Sequence, residues 1–164
     1  MRLYPLCLLL LLSACASVPE TEPTAARSTP VPKVALPSEH TGTIDGAPWR
    51  LDVPENWNGE LVVYMHGYAP AEQPIPEVMP RNGYEGWLLE QGFAIAQSDY
   101  SARGWSVAEA LDDSEAMRKH VLGVLGEPKR TWAMGHSMGS HLVLGTLEKH
   151  GEAYDGGLAL CGAN

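Results

Sequence analysis

The run RTWAMGHSMGSHLVLG, residues 130–145, restricts the fold more than any other part of this sequence. RTWAM has the apolar and aromatic content of a short buried strand. From Met138 the chain reads as a helix that ends at Gly151. Only Gly135-His136-Ser137 lies between them, so the chain must pass from strand to helix almost within one residue. A turn that sharp brings the positions two before and two after Ser137 nearly into contact. Both are glycine, Gly135 and Gly139, and a side chain at either would clash. The same turn forces Ser137 into a strained backbone state and lifts its Oγ clear of the strand's C-terminal end. The helix directs its first N–H groups and its positive dipole end at that spot.

The rest of the chain repeats the alternation of strand and helix. TGTID and WRLDV read as two short strands, and Asn56-Trp57-Asn58-Gly59 as a turn. ELVVYM is a near-continuous apolar strand ending at His66-Gly67. EGWLLEQG is a short helix stopped by Gly92, and FAIAQ another buried strand. Residues 106–125 form the best helix. Ser106 and Glu109 have capping-box spacing, Val107, Ala110 or Leu111, Met117, Val121 and Leu125 make an apolar face, and Gly126 and Pro128 end it. GLALC is a last strand. Buried strands alternating with helices predict an α/β fold, a mainly parallel sheet with helices on both faces.

Strand, Gly-x-Ser-x-Gly, helix is the nucleophile-elbow arrangement. LVVYMHGY ends its strand with His66-Gly67-Tyr68 and resembles the His-Gly segment after the third strand of α/β-hydrolases. The resemblance spans residues 39–164 and reaches the superfamily of esterases, lipases and serine peptidases. GWLLEQGFAIAQSDYSARGWSVAEALDD looks most like secreted bacterial hydrolases of the esterase and prolyl-oligopeptidase branches. The resemblance implies a serine hydrolase of small ester or peptide substrates. Ser137 would be the nucleophile. The backbone N–H of Met138 would be the first oxyanion donor, and that of Tyr68 or Gly67 the second. His66 would brace that loop. No cofactor is implied.

Asp99, Tyr100, Ser101 and Arg103 follow the FAIAQ strand and are candidates for a pocket rim or for turn caps. Trp105 reads as a staple at the helix start rather than a substrate platform, and Trp49, Trp57, Trp87 and Trp132 as core and edge packing. In the family resembled, acid and histidine follow the serine in chain order. Few residues follow Ser137 in a chain of 164, and the expectation is that the acid, the histidine, the last strands and the last helix are missing. His136 should point away from Ser137, His141 into the packed interior, and His150 lies about 20 Å along the helix with Asp155 beyond it. None of these has metal-ligand spacing, and no metal site is expected. Two function classes stand: a serine hydrolase incomplete in this chain and nearly inactive alone, or a non-catalytic lipoprotein using the hydrolase core as a binding or structural module.

The N-terminus bears on compartment. Arg2, the apolar run LYPLCLLLLL and LSAC at residues 12–15 resemble a bacterial lipoprotein signal, in which Cys15 is lipidated. A rival reading is cleavage at Ala14-Cys15-Ala16. Residues 1–14 are then a signal peptide, 15–38 a lipidated cysteine and Pro-rich tether, and 39–164 the N-terminal part of the hydrolase domain. Ala16 leans toward the outer membrane or cell surface of the bacterial envelope. Cys161 reads as a buried thiol without a disulfide partner. A formal charge of −9 argues against a nucleic-acid partner. If Cys15 carries the lipid, Cys15→Ser will move the protein from the membrane to the soluble fraction. A mature N-terminus at Ser17 would instead establish the rival cleavage.

Overall fold

The computed structural model describes residues 30–80, 83 and 85–162. The signal segment, Cys15 and most of the tether lie outside the described residues. Six strands and three helices follow in order: β1 (Ser38–Ile44), β2 (Ala47–Val53), β3 (Glu60–Met65), α1 (Glu85–Glu90), β4 (Ala94–Ser98), α2 (Val107–Leu125), β5 (Arg130–His136), α3 (Met138–His150) and β6 (Gly156–Leu160), with a 3-10 turn at Gly151–Ala153. The strands form one sheet in the order β1-β2-β4-β3-β5-β6. β1, β2 and β4 pair antiparallel, while β3 lies parallel to both β4 and β5, and β6 parallel to β5. A mainly parallel sheet with helices on both faces is what the alternating pattern predicts.

The central strand shows why. Successive side chains of a strand face opposite ways. Leu61, Val63 and Met65 of β3 join one core with Leu51, Ala96 and Ala133, against Ala110, Met117, Val121 and Leu125 of α2 and Leu142 and Val143 of α3. Val62 and Tyr64 face the other side, with Ile95 and with Leu88 of α1. A strand covered on both faces must be apolar throughout, which is the composition of ELVVYM.

Three details differ from the sequence pattern. The first strand ends at Ile44, because Asp45 (φ 49°) and Gly46 (φ 88°) form a two-residue hairpin turn. Asp-Gly between two strand patterns is the signal for such a turn. Ser106 does not close a capping box. It makes no side-chain cap bond, and its hydroxyl donates to the Ala102 carbonyl at 3.2 Å. The packed part also begins ahead of Glu39: Lys33 N–H donates to the Leu125 carbonyl at 2.9 Å, and Val34 and Leu36 pack on the core.

Ser137, between β5 and α3, has φ 54° and ψ −122°. A Cβ on Gly139 would run into the Met65 carbonyl oxygen and come within 2.9 Å of the His66 carbonyl oxygen. One on Gly135 would collide with the Gly139 carbonyl and lie 2.9 Å from the Met65 oxygen. Both neighbours are backbone, which cannot rotate away. Gly139→Ala will therefore destabilise the domain by at least about 3 kcal/mol, the upper range for overpacking, and lower Tm by about 10 °C. Ser137→Gly will be more stable than Ser137→Ala by about 1 kcal/mol, because alanine keeps the strained φ and glycine does not. Thermal unfolding of the three variants checks both signs.

Candidate active site

The elbow holds Ser137 apart from its neighbours. Gly135, Met138 and Gly139 are buried while Ser137 is exposed. Its amide donates to the Leu160 carbonyl of β6 at 3.0 Å, and its carbonyl accepts from the Ser140 amide at 3.0 Å. The Ser140 hydroxyl donates to the Leu160 carbonyl at 2.5 Å. The turn is thus tied to β6 from two points. The first N–H groups of a helix have no acceptor inside it, and here that of Ser140 is taken by the Ser137 carbonyl.

The chain after β3 approaches from the other side. Gly67 is buried, and a Cβ there would lie 3.1 Å from the Ser137 Cβ and 3.1 Å from His136 Nε2. Tyr68 follows and is half exposed, at 52%. The elements therefore bring Gly67, Tyr68, Ser137 and Met138 together, although some seventy residues separate the two segments. An exposed serine hydroxyl at a helix N-terminus is a group that can attack a carbonyl once a base takes its proton.

Histidines surround the turn but are engaged elsewhere. His136 Nδ1 shares a 2.7 Å hydrogen bond with the Tyr64 hydroxyl, so its ring is held by β3. His66 Nδ1 lies 2.7 Å from the Gly67 carbonyl oxygen. A carbonyl only accepts, so Nδ1 carries the proton. Its Nε2 faces Asp99 Oδ1 at 3.5 Å. Burial holds the His66 pKa below its ordinary value, against the opposing pull of the Gly67 carbonyl and Asp99. His141, half-buried in the first turn of α3, packs edge-on against Trp105 with ring centroids 5.6 Å apart. His150 sits at the far end of α3. Asp155 lies there too, accepting from the Thr131 amide at 2.9 Å.

The four residues after β4 do more bracing than the sequence suggests. Tyr100, with φ 57°, is fully buried. It stacks on His66 at 4.1 Å between centroids and donates to the His66 carbonyl at 3.1 Å. Burial raises its pKa well above the ordinary phenol value. Ser101 donates its amide and its hydroxyl to Asp113, at 2.7 and 2.8 Å. Arg103 donates to the Asp99 carbonyl at 2.6 Å and to its carboxylate at 2.7 Å, and reaches the Gln73 and Pro74 carbonyls at 3.2 Å each. A lone Ala69–Gly104 bridge joins the same two loops, with Gly104 N–H donating at 2.9 Å. Trp105 is not a buried staple: it is 57% exposed. Cys161, read as buried, is an exposed free thiol at the end of β6, with φ 51°. Among the described residues no group of histidine, cysteine and carboxylate is arranged to hold a metal ion, and no helix is long and apolar enough to cross a membrane.

No protein-family model matches the chain. It is 30% identical over 135 residues to an o-phthalyl amidase from Xanthobacter agilis, covering 77% of this chain and 27% of the amidase. Its structure is similar to that of an acetyl xylan esterase from Aspergillus awamori (TM-score 0.59, 16% identity, 77% of this chain and 53% of the esterase). It is also similar to an α/β serine hydrolase without lid from Xanthomonas campestris (TM-score 0.55, 15% identity, 74% of this chain and 60% of that chain). The chain spans about a quarter of the curated relative and just over half of these two structures. Sheet order, elbow geometry and these likenesses agree: the chain has the α/β-hydrolase fold, and over 135 residues its sequence is similar to that of an amidase.

Proposed function

We propose that this chain carries the nucleophile and oxyanion-binding half of a serine hydrolase that cleaves ester or amide bonds of small substrates through an acyl-enzyme on Ser137. One observation carries the reading. Ser137 is exposed at positive φ between a buried strand and a helix N-terminus, flanked by two glycines that admit no side chain. Strain of this kind costs on the order of 1–3 kcal/mol and is retained where a function uses it. The amide arm of the proposal has support from the amidase relative.

In this mechanism the Ser137 Oγ attacks the substrate carbonyl. The new oxyanion is held by the N–H groups of Met138 and of Tyr68, with Gly67 allowing the close approach to the serine. A trans peptide points its C=O and N–H in opposite directions. The His66 imidazole holds the Gly67 carbonyl and so fixes the direction of the Tyr68 N–H, which makes His66 a positioning residue. Proton removal from Ser137 needs a base within hydrogen-bond reach of Oγ. His66 and His136 are held through Nδ1 by the Gly67 carbonyl and the Tyr64 hydroxyl, so the proposal assigns neither of them as that base. A lipid anchor at Cys15, holding the domain at the cell envelope, is the companion proposal for location.

The full-length protein will be labelled by a fluorophosphonate probe at Ser137, and Ser137→Ala will abolish labelling and ester and amide hydrolysis together. Labelling that survives the substitution would exclude Ser137 as nucleophile, and a folded full-length protein that neither labels nor hydrolyses would favour the non-catalytic module.

The buried, neutral His66 has a consequence for stability. Its folded pKa lies below the ordinary 6.5, so the unfolded chain takes up the proton first. Its contribution is complete above that value and is lost as pH falls through 6.5 toward the lower folded pKa. His66→Asn, which keeps a donor for the Gly67 carbonyl but does not titrate, will show a shallower loss of stability between pH 7.5 and pH 5.5 in urea unfolding. An unchanged slope would mean that His66 is not the buried neutral group described.

A further inference from the structure

His66 faces an acceptor through each of its ring nitrogens. Nδ1 lies 2.7 Å from the Gly67 carbonyl oxygen, and Nε2 lies 3.5 Å from Asp99 Oδ1. A carbonyl and a carboxylate paired with arginine only accept, and a neutral imidazole has one proton to give. The two oxygens therefore compete for it. With the proton on Nδ1, the Nε2 lone pair faces a carboxylate, and Nε2 is buried without a hydrogen bond. With the proton on Nε2, the Nδ1 lone pair would face the Gly67 oxygen, and that peptide would have to turn away. Which nitrogen keeps the proton thus sets the direction of the peptide between Gly67 and Tyr68.

Arg103 weights the choice. Its guanidinium, only 6% exposed, donates to Asp99 Oδ2 at 2.7 Å and to the Asp99 carbonyl at 2.6 Å. It meets the loop after β3 at the Gln73 and Pro74 carbonyls, while Glu72 and Glu77 of that loop are exposed. A carboxylate paired with arginine pulls on a proton less than a bare one does. The other groups around His66 leave the balance between Gly67 and Asp99. Tyr100, a neutral phenol, stacks on the ring at 4.1 Å, and Asp113 of α2 is held by Ser101. Burial is the largest influence keeping His66 uncharged; the Gly67 carbonyl and Asp99 pull the other way, and Arg103 and His136 add to burial.

We infer that Arg103 is a positioning residue: by engaging Asp99 it leaves the His66 proton on Nδ1, where that proton holds the Gly67 carbonyl and aims the Tyr68 N–H at the oxyanion. The inference rests on the proposed hydrolase reading and adds to it a line of side chains, Arg103 to Asp99 to His66, behind one backbone donor.

The ring nitrogens of His66 report the tautomer directly. Full-length protein carrying nitrogen-15 in its histidines would be examined by NMR at pH 8, with the His66 signals identified by their loss in His66→Asn. The wild-type ring should carry its proton on Nδ1. In Arg103→Met the proton should move to Nε2. Turnover of 4-nitrophenyl acetate should then fall about 100-fold in kcat, the cost of ~1 Å of misplacement. KM should hold, because the oxyanion contact belongs to the transition state. Adding Asp99→Asn to Arg103→Met should return the proton to Nδ1 and restore most of the lost kcat. The asparagine amide can donate to Nε2 but replaces none of the Arg103 bonds to Gln73 and Pro74. Loops that Arg103 merely braced would gain nothing from that second change. A wild-type proton on Nε2 would overturn the inference, and this measurement does not depend on any Arg103 variant folding. So would a proton that stays on Nδ1 in Arg103→Met, or a double variant no better than the single one. A His66 proton that moves as described in a protein whose Ser137 takes no fluorophosphonate would instead overturn the hydrolase reading and leave the link from Arg103 to His66 standing.

Discussion

The contact of two glycines with the backbone of β3 is what the rest of this structure depends on. Gly139 has no room for a Cβ because the Met65 carbonyl occupies it, and Gly135 has none because the Gly139 carbonyl does, with the Met65 oxygen close by. That approach seats α3 directly against the end of the central strand. It also forces the residue between them into a positive φ, so Ser137 projects from a region where Met138 and Gly139 are buried. One steric constraint thus sets the angle of a helix, the exposure of a hydroxyl and the direction of the first helical N–H groups. Larger side chains at either glycine would move all three together.

A second layer of interactions fixes what faces the serine. Among its described residues the segment after β3 has no helix or strand of its own, yet it is held from several sides. His66 holds the Gly67 carbonyl, and Tyr100 stacks on His66 and bonds to its carbonyl. Arg103 then joins Asp99 to the carbonyls of Gln73 and Pro74. Charge-assisted bonds from a guanidinium are among the stronger polar contacts in proteins, and a side chain only 6% exposed loses little of their strength to water. Such support fixes a segment of a kind that is otherwise the mobile part of a fold.

Much of this is legible in the sequence because it follows from local rules. ELVVYM can only be a strand covered on both faces, and GHSMG between a strand and a helix can only be a tight turn with an isolated serine. The boundaries of β3 and α3 fall where those patterns begin and end, while β5 runs on to His136, two residues past RTWAM. Local rules mislead where a tertiary partner competes. Ser106 has capping-box spacing with Glu109, but its hydroxyl turns to Ala102. Trp105 sits where a staple would, but the Ala69–Gly104 bridge carries it to the surface beside α3. Cys161 ends an apolar run, yet β6 is an edge strand and the thiol is exposed.

The sequence by itself determined the class of fold and the position of the nucleophile candidate, because hydrophobic period and glycine sterics act over a few residues. The company that Ser137 keeps was decided only by the tertiary structure. Tyr64 captures His136, Asp99 faces His66, and Ala69 meets Gly104 across loops more than thirty residues apart. Contacts at that separation depend on how β3, β4 and β5 are ordered in the sheet. That order is set by the packing of whole faces rather than by any stretch that can be read alone.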